Sequence, residues 1–433
     1  MSKDILIVAA KRTPIGSFQG DLSQFSAAQL GGIVIESALQ DVKRMALQDN
    51  AISHIGSIEY ERIAELIDEV FMGCVLTAGV GQAPARQAAL KAKLPHSVSC
   101  VTINKVCGSG LKALFIACDM IKAGSIRTAV AGGMESMSNA PYLLTDSRSG
   151  MRIGHKAVLD HMYFDGLQDA YDGHLMGIYG QQTANKYDVP RERMDAWAVR
   201  SINHAVNAES HHAFKAEIVP ITVSTKKALV MVEKDQHPNE VNPQKIPTLP
   251  PLFALAGEQG TITAASSSAI GDGAAALVLM EAEHGCRQGL YPLATIKGYA
   301  SHSRSPDEFT IAPIHAIHQL LDDLNWSIDE VDLWEINEAF AVVTLVAIDQ
   351  LGIDPNRVNI NGGACALGHP IGATGARVVV TLTHALRHKA KTINNAKSNG
   401  ETETLKGIAA VCVCVGGGEA LAIAIEVDVK SVN

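Results

Sequence analysis

Short apolar runs alternate along the chain with longer stretches whose apolar residues recur every three or four positions. The runs fall at 5–8, 69–72, 128–131, 274–280, 333–336 and 409–415, and runs of that length and composition predict strands. Between them, residues 110–123 place Leu111, Leu114, Phe115, Cys118 and Ile121 near helical spacing, with Gly124 as a stop, so a well-buried helix is expected there. Strands alternating with helices predict an α/β fold.

Two parts of this pattern rhyme. Asn104-Lys105-Val106-Cys107-Gly108 opens a helix early in the chain, and Asn361-Gly362-Gly363-Ala364-Cys365 precedes one late in it. A strand running into Gly132-Gly133-Met134-Glu135 is matched by one running into Gly416-Gly417-Gly418-Glu419. A duplicated α/β unit would bring equivalent loops to one seam. Between the halves, across about 140–255, His, Met, Tyr, Lys and Pro become frequent and strand patterning weakens, which predicts an inserted loop domain. Its later part, 226–251, reads as a cover over a ligand or as a disordered linker.

A chain of 433 residues has room for two or three domains. With 47% hydrophobic and 19% charged residues it can bury a core. A net charge of -9, with acidic and basic residues interspersed, argues against a nucleic-acid partner, while a compact anionic cofactor could still be held by local Lys residues and helix N-termini. Residues 1–8 run straight into a strand without a signal-peptide pattern, and no apolar run is long enough to span a bilayer, so a cytoplasmic protein away from membranes is expected. Eight cysteines without a CxxC pair or a Cys/His zinc spacing predict free thiols and no metal. His384 and His388 are four apart but lack the acidic partner of a zinc-protease helix, and read as a surface helix.

Four clusters carry candidate chemistry. Cys107 directly precedes the apolar helix, where unpaired N–H groups favour a thiolate, and Gly108, Ser109 and Gly110 leave room for a substrate; an inert buried thiol is the commoner role for such a residue. His369 sits in the glycine-rich run 362–372 as a candidate base or hydrogen-bond donor, with a structural role as the alternative. That run lacks the Lys-Ser/Thr ending of a nucleotide-binding loop. Asn337 follows the strand 333–336, where functional groups of α/β sheets gather, and could hold a water. Finally, Cys412-Val413-Cys414-Val415 runs into three glycines whose bare N–H groups could form an oxyanion-binding nest, with Cys414 at its edge.

The joint occurrence of these clusters in this order, with Ala10-Lys11-Arg12-Thr13-Pro14, Phe71-Met72-Gly73, the run 81–87, the run 132–141 and Gly271-Asp272-Gly273, resembles the thiolase family over nearly the whole chain. The resemblance implies a five-layered αβαβα fold of two similar halves, 1–139 plus 256–290 and 291–433, with a CoA-covering loop domain at 140–255. It implies that Cys107 attacks an acyl carbonyl and carries the acyl group, with His369 raising its thiolate character and Cys414 as the second acid/base. His369 and a water on Asn337 would bind the enolate oxygen, and the N–H groups of Cys107 and Gly416 the tetrahedral oxyanion. Ser268 and Met176 match residues on the pantetheine side. No permanently bound cofactor is implied, since coenzyme A and acyl-CoA are substrates.

The sequence departs from the family in four places. Leu175 replaces the usual His before Met176, which would admit longer acyl groups; 265–269 differ from the usual Gly-Asn-Ala-Ser-Gly; Cys365 stands where an aliphatic residue is common and reads as packing; and Glu419 replaces Met, Gln or Gly for no reason legible in the sequence. The implied activity is reversible condensation of two acetyl-CoA to acetoacetyl-CoA, with 165–171 favouring that branch. The rivals are a degradative 3-ketoacyl-CoA thiolase, a decarboxylating condensing enzyme, against which the second cysteine argues, and a catalytically silent CoA-binding protein, which would lack one of the four residues. A homo-oligomer, dimer or tetramer, is implied, with 138–152 where a tetramer-forming loop occurs.

Overall fold

The computed structural model describes residues 4–48, 60–254, 257, 259–396, 404–413 and 418–432. Nine strands carry the architecture: β1 (Ile5–Arg12), β2 (Glu69–Gly73), β3 (Ser99–Ile103), β4 (Thr128–Ser136), β5 (Gly271–Glu281), β6 (Ala294–Ser303), β7 (Leu333–Ile336), β8 (Thr404–Val413) and β9 (Glu419–Asp428). Their order across the sheet is β7-β8-β9-β6-β1-β5-β4-β2-β3, and a tenth strand, Gly16–Ser17, pairs with β5.

The order repeats. In the first half β1 pairs antiparallel with β5, β5 antiparallel with β4, β4 parallel with β2, and β2 parallel with β3. In the second half β6 pairs antiparallel with β9, β9 antiparallel with β8, β8 parallel with β7, and Trp334 of β7 makes a parallel bridge to Val358. The halves join edge to edge through Ile5↔Ile296, Leu6↔Thr295 and Ile7↔Ala294. The family-implied duplication is therefore visible as one pairing scheme used twice.

Alternation along each strand separates two cores. Ile5 and Ile7 of β1, with Ala275, Leu277 and Leu279 of β5, belong to one apolar cluster; Leu6 and Val8, with Ala274, Ala276, Val278 and Met280, belong to another. Both faces are thus buried, which is why these strands read as continuous apolar runs. Helices α1 (Ala27–Gln48) and α2 (Pro84–Lys91) cover one face of the first half. Helix α3 (Ser109–Ala123) packs on its other face. In the inserted segment lie α4 (Met176–Lys186) and α5 (Arg191–Ser210), followed in the second half by α6 (Ala312–Leu324) on β6 and β9, and α7 (Ala341–Leu351). Helix α8 (Ile371–Ala396) touches β4 and β5 of one half and β7 and β8 of the other, and packs on α3. The layers are α, β, α, β, α.

Helix α3 forms as its pattern predicts: Leu111, Leu114, Phe115, Cys118 and Ile121 are buried, and Gly124 ends it in the left-handed region at φ 79°, its N–H bonded to Ile121 and Met120 carbonyls. The expected surface helix at His384 and His388 needs correction. Helix α8 is the central one, and His384 Nε2 reaches the Ala10 carbonyl in β1 at 2.9 Å, so only its His388 side faces solvent. The segment 226–251 is folded: it contributes a strand to the hairpin Ile221–Ser224/Leu229–Val232 and the 3-10 turn Pro243–Thr248.

The Lys11-Arg12-Thr13 motif ties this inserted segment to β1. Arg12, fully buried, bonds Glu217 through Nε at 2.6 Å and Asp235 through Nη1 and Nη2 at 2.7 and 2.9 Å. A guanidinium has the planar fork that satisfies two carboxylates at once, and truncating one member of such a buried set leaves an uncompensated charge. Among the described residues no helix is long and apolar enough to cross a membrane, and no group of three His, Cys, Asp or Glu side chains is arranged to hold a metal.

Candidate active site

The turn before α3 is closed on itself. Asn104 Oδ1 accepts from Val106 N–H at 3.0 Å; Ser109 Oγ accepts from Lys105 N–H at 2.8 Å and donates to the Val106 carbonyl at 2.6 Å; Gly108 N–H bonds the Lys105 carbonyl at 3.0 Å. These bonds hold Val106 at φ 45°, a left-handed conformation that costs a β-branched residue about 1–3 kcal/mol. The strained residue delivers Cys107, 2% exposed, to the start of α3, where the helix dipole favours an anion.

Glycines let α3 and α8 start against each other. A Cβ on Gly110 would lie 2.7 Å from the Ala376 N–H nitrogen and 3.1 Å from the Gly372 carbonyl oxygen, and one on Gly133 of β4 would lie 2.0 Å from that same oxygen. Only glycine permits such backbone-on-backbone contact. Cys107 is three residues ahead of Gly110 and His369 three ahead of Gly372, so both hang from one crossing point. The buried Glu135 fastens it, accepting from the N–H groups of Val75, Leu76 and Gly372 at 3.0, 3.1 and 2.9 Å; burial lifts its carboxyl to about 7 against those bonds, which pull it down.

His369 is 5% exposed, with its N–H bonded to the Ala269 carbonyl at 2.8 Å. Its Nδ1 is 2.7 Å from Thr374 Oγ1, and that hydroxyl is 3.0 Å from the Pro370 carbonyl. The Pro370 carbonyl already accepts from the N–H groups of Ala373 and Thr374. We therefore assign the hydroxyl hydrogen to Nδ1, which leaves the imidazole hydrogen on Nε2. That Nε2, and both amide atoms of the 1% exposed Asn337, are buried without a hydrogen-bond partner in the protein. Each such group costs about 1–3 kcal/mol when left unpaired, so each is a polar atom that a substrate or water would satisfy.

A cleft of about 490 Å³ opens onto His369. Ser268, Leu175 and Met176 all line it, with Phe253, Phe340, Ile371, Met137, Tyr163 and Leu167. Phe253 and Phe340 meet edge to face at 6.1 Å. Neither Cys107 nor Asn337 lines the cleft; both are buried. Cys414 and Gly416 lie outside the described residues. A larger hollow of about 680 Å³, between Glu209, Phe214, Ile218 and Lys234, contains none of the candidate chemistry.

Residues 5–283 match the family description "Thiolase, N-terminal domain" and residues 290–427 match "Thiolase, C-terminal domain". The chain belongs to the thiolase family. Acetyl-CoA acetyltransferase 1 of Arabidopsis thaliana is 44% identical over 89% of both chains, and the acetyl-CoA acetyltransferase of Cupriavidus necator is 41% identical over 95% of this chain and 96% of its own. A crystal structure of the Acat5 thiolase from Ascaris suum in complex with coenzyme A superposes with a TM-score of 0.85 at 40% identity, covering 98% of this chain and all of the other.

Sequence reasoning missed several supports of this thiolase site. Glu338, beside Asn337, is fully buried and accepts from Trp197 Nε1 at 2.9 Å, Ser201 Oγ at 2.8 Å, Asn359 Nδ2 at 2.9 Å and the Cys365 N–H at 3.0 Å. It ties the Asn337 loop to the His369 loop and to α5. Its position directly after Asn337 at a strand end was the available signal. Cys365 is buried, 3.8 Å from the Glu338 carbonyl, and burial lifts its thiol well above the ordinary range, which suits packing and not reactivity. Phe253 and Phe340 carried no signal apart from their aromatic character.

Proposed function

We propose that this thiolase is an acetyl-CoA acetyltransferase that joins two acetyl-CoA into acetoacetyl-CoA and CoA, reversibly, through an S-acyl-cysteine. The observation that carries the acyl-transfer reading is the shared glycine crossing, from which the Cys107 thiol at a helix start and the His369 imidazole with its unpartnered Nε2 both hang. Relatives of that name, alike over almost their full length, favour acetyl as the acyl group.

In this scheme the Cys107 thiolate attacks the thioester carbonyl, and the N–H groups of Cys107 and Gly416 receive the oxyanion until CoA leaves. Cys414 gives its proton to the departing CoA sulfur and, as a thiolate, then takes the α-proton of the second acetyl-CoA. The enolate oxygen is held by His369 Nε2–H and by a water on Asn337 while the new carbon–carbon bond forms and the Cys107 thiolate departs. Two oxygens become negative in two half-reactions, so two sets of donors are required. Ser268, Leu175 and Met176 flank the pantetheine arm, and 140–255 cover the CoA between the halves 1–139 plus 256–290 and 291–433. The same reading makes the protein a cytoplasmic homo-oligomer, with the exposed Tyr142, Leu144 and Met151 in its tetramer-forming loop.

The apolar lining around Leu175 favours a second reading, a degradative thiolase for longer 3-ketoacyl-CoA. Thiolysis of acetoacetyl-CoA and of 3-ketooctanoyl-CoA by wild type and Cys107→Ala separates the two. Activity lost in Cys107→Ala and greatest on acetoacetyl-CoA is expected; preference for the longer substrate moves the assignment to the second reading, and turnover surviving in Cys107→Ala removes the mechanism.

A further inference from the structure

Two charged residues with no part in that scheme bridge its two halves. Lys105, two residues ahead of the thiol, forms an ion pair from Nζ to the Glu419 carboxylate, 314 residues along the chain. The side chains are 23% and 29% exposed, so solvent and salt weaken the pair less than they would at the open surface. The other Glu419 oxygen accepts from Ser303 Oγ at 3.0 Å.

Both ends are anchored in site elements. The Lys105 N–H and carbonyl are both bonded within the turn that sets Cys107, to Ser109 Oγ and Gly108 N–H. Glu419 opens β9 opposite Val413, the last register pair of β8 and β9, and stands five residues after Cys414 in the chain. The residue before it, Gly418 at φ 57°, accepts from Arg304 N–H at 2.8 Å, and a Cβ there would lie 2.1 Å from the Ser305 carbonyl oxygen.

We infer that the Lys105–Glu419 ion pair positions the nucleophile turn of the first half, and with it Cys107, against the start of β9 in the second. This rests on the acyl-transfer reading. It also gives Glu419 a reason that the sequence withheld, since its partner is remote in the chain. The two residues are positioning residues: neither touches a reacting atom in the scheme.

The test is steady-state thiolysis of acetoacetyl-CoA by the full-length chain, as wild type, Lys105→Gln, Glu419→Gln and the exchanged Lys105→Glu/Glu419→Lys, with thermal melting of each. Misplacement of reacting groups by about an ångström costs up to about 10²-fold, so each single variant is expected to lower kcat about tenfold or more with KM within about twofold, and the exchange to recover most of kcat. Singles that melt earlier but keep kcat within about twofold would show the pair to be structural only and overturn the inference. So would an exchange that melts like wild type yet stays as slow as the singles. An inactive wild type, or an active Cys107→Ala in the same assay, would instead overturn the acyl-transfer reading.

Discussion

The chemistry of His369 turns on a neighbour five residues away. If Thr374 donates to Nδ1, the ring presents Nε2–H to a developing enolate; without that hydroxyl the ring is free to carry its hydrogen on Nδ1 and present a lone pair instead. Thr374→Val keeps shape and branching, and is expected to lower kcat for thiolysis about tenfold or more with KM little changed, while Thr374→Ser retains activity. Equal kcat in the Val and Ser variants would refute the tautomer assignment. Asn337→Ala removes one donor set for the same oxygen and is expected to cost about 10²–10³ in kcat, read in the same assay. These residues also show what a sequence makes legible. Asn337 and His369 were identifiable because their neighbourhoods are unusual strings, whereas Thr374 lay inside an ordinary helix start and acquires its role only from which nitrogen it meets.

At the level of elements, the site depends on how closely α3, α8 and β4 approach. Gly133→Ala would drive a methyl into the Gly372 carbonyl, a backbone atom that cannot swing away. Overpacking of this kind is expected to cost about 3 kcal/mol or more, measured by urea unfolding, and a loss below about 1 kcal/mol would mean that the helices can part without harm. The strands that the apolar runs announced are present in the described residues, most of them longer than the runs because pairing continues through the flanking Ala, Gly and polar residues. Strands β3, β6 and β9 were not announced; β3 is the outer strand of the first half, and Ser99, Thr102 and Ile103 are exposed or half-buried, so the alternation that marks a buried strand is weak there. The run at 409–415 corresponds to β8 as far as Val413, beyond which the chain lies outside the described residues.

On the scale of the whole molecule, the central helix makes stability depend on pH. Burial pushes the His384 imidazole from an ordinary 6.5 down to about 4, so the folded chain keeps it neutral with its N–H on Ala10. Between those values the unfolded chain takes up a proton that the folded chain refuses; stability is therefore present above about 6.5 and lost as pH falls toward 4. The loss is on the order of 2 kcal/mol for this group. His384→Gln retains a donor without the titration, and the fall in unfolding free energy between pH 7 and 4.5 is expected to shrink by that amount; an unchanged fall would show that other groups govern it. Long-range ties of this kind, like Arg12 with Glu217 and Asp235, were not legible in the sequence, because nothing local distinguishes a charge whose partner is two hundred residues away from one that faces water.

The seam between the halves also orders events in time. Strand β1 emerges from the ribosome about 260 residues before β5 and still longer before β6, yet it lies between them, so at roughly 5–20 residues per second its unpaired backbone edges and apolar faces wait on the order of a quarter-minute to a minute for either neighbour. Such a nascent chain holds a sticky ribbon open throughout most of its synthesis, and pairings of such high sequence separation form slowly. Recovery of this protein in the cell is then governed by whatever shields that first strand as much as by the stability of the finished fold.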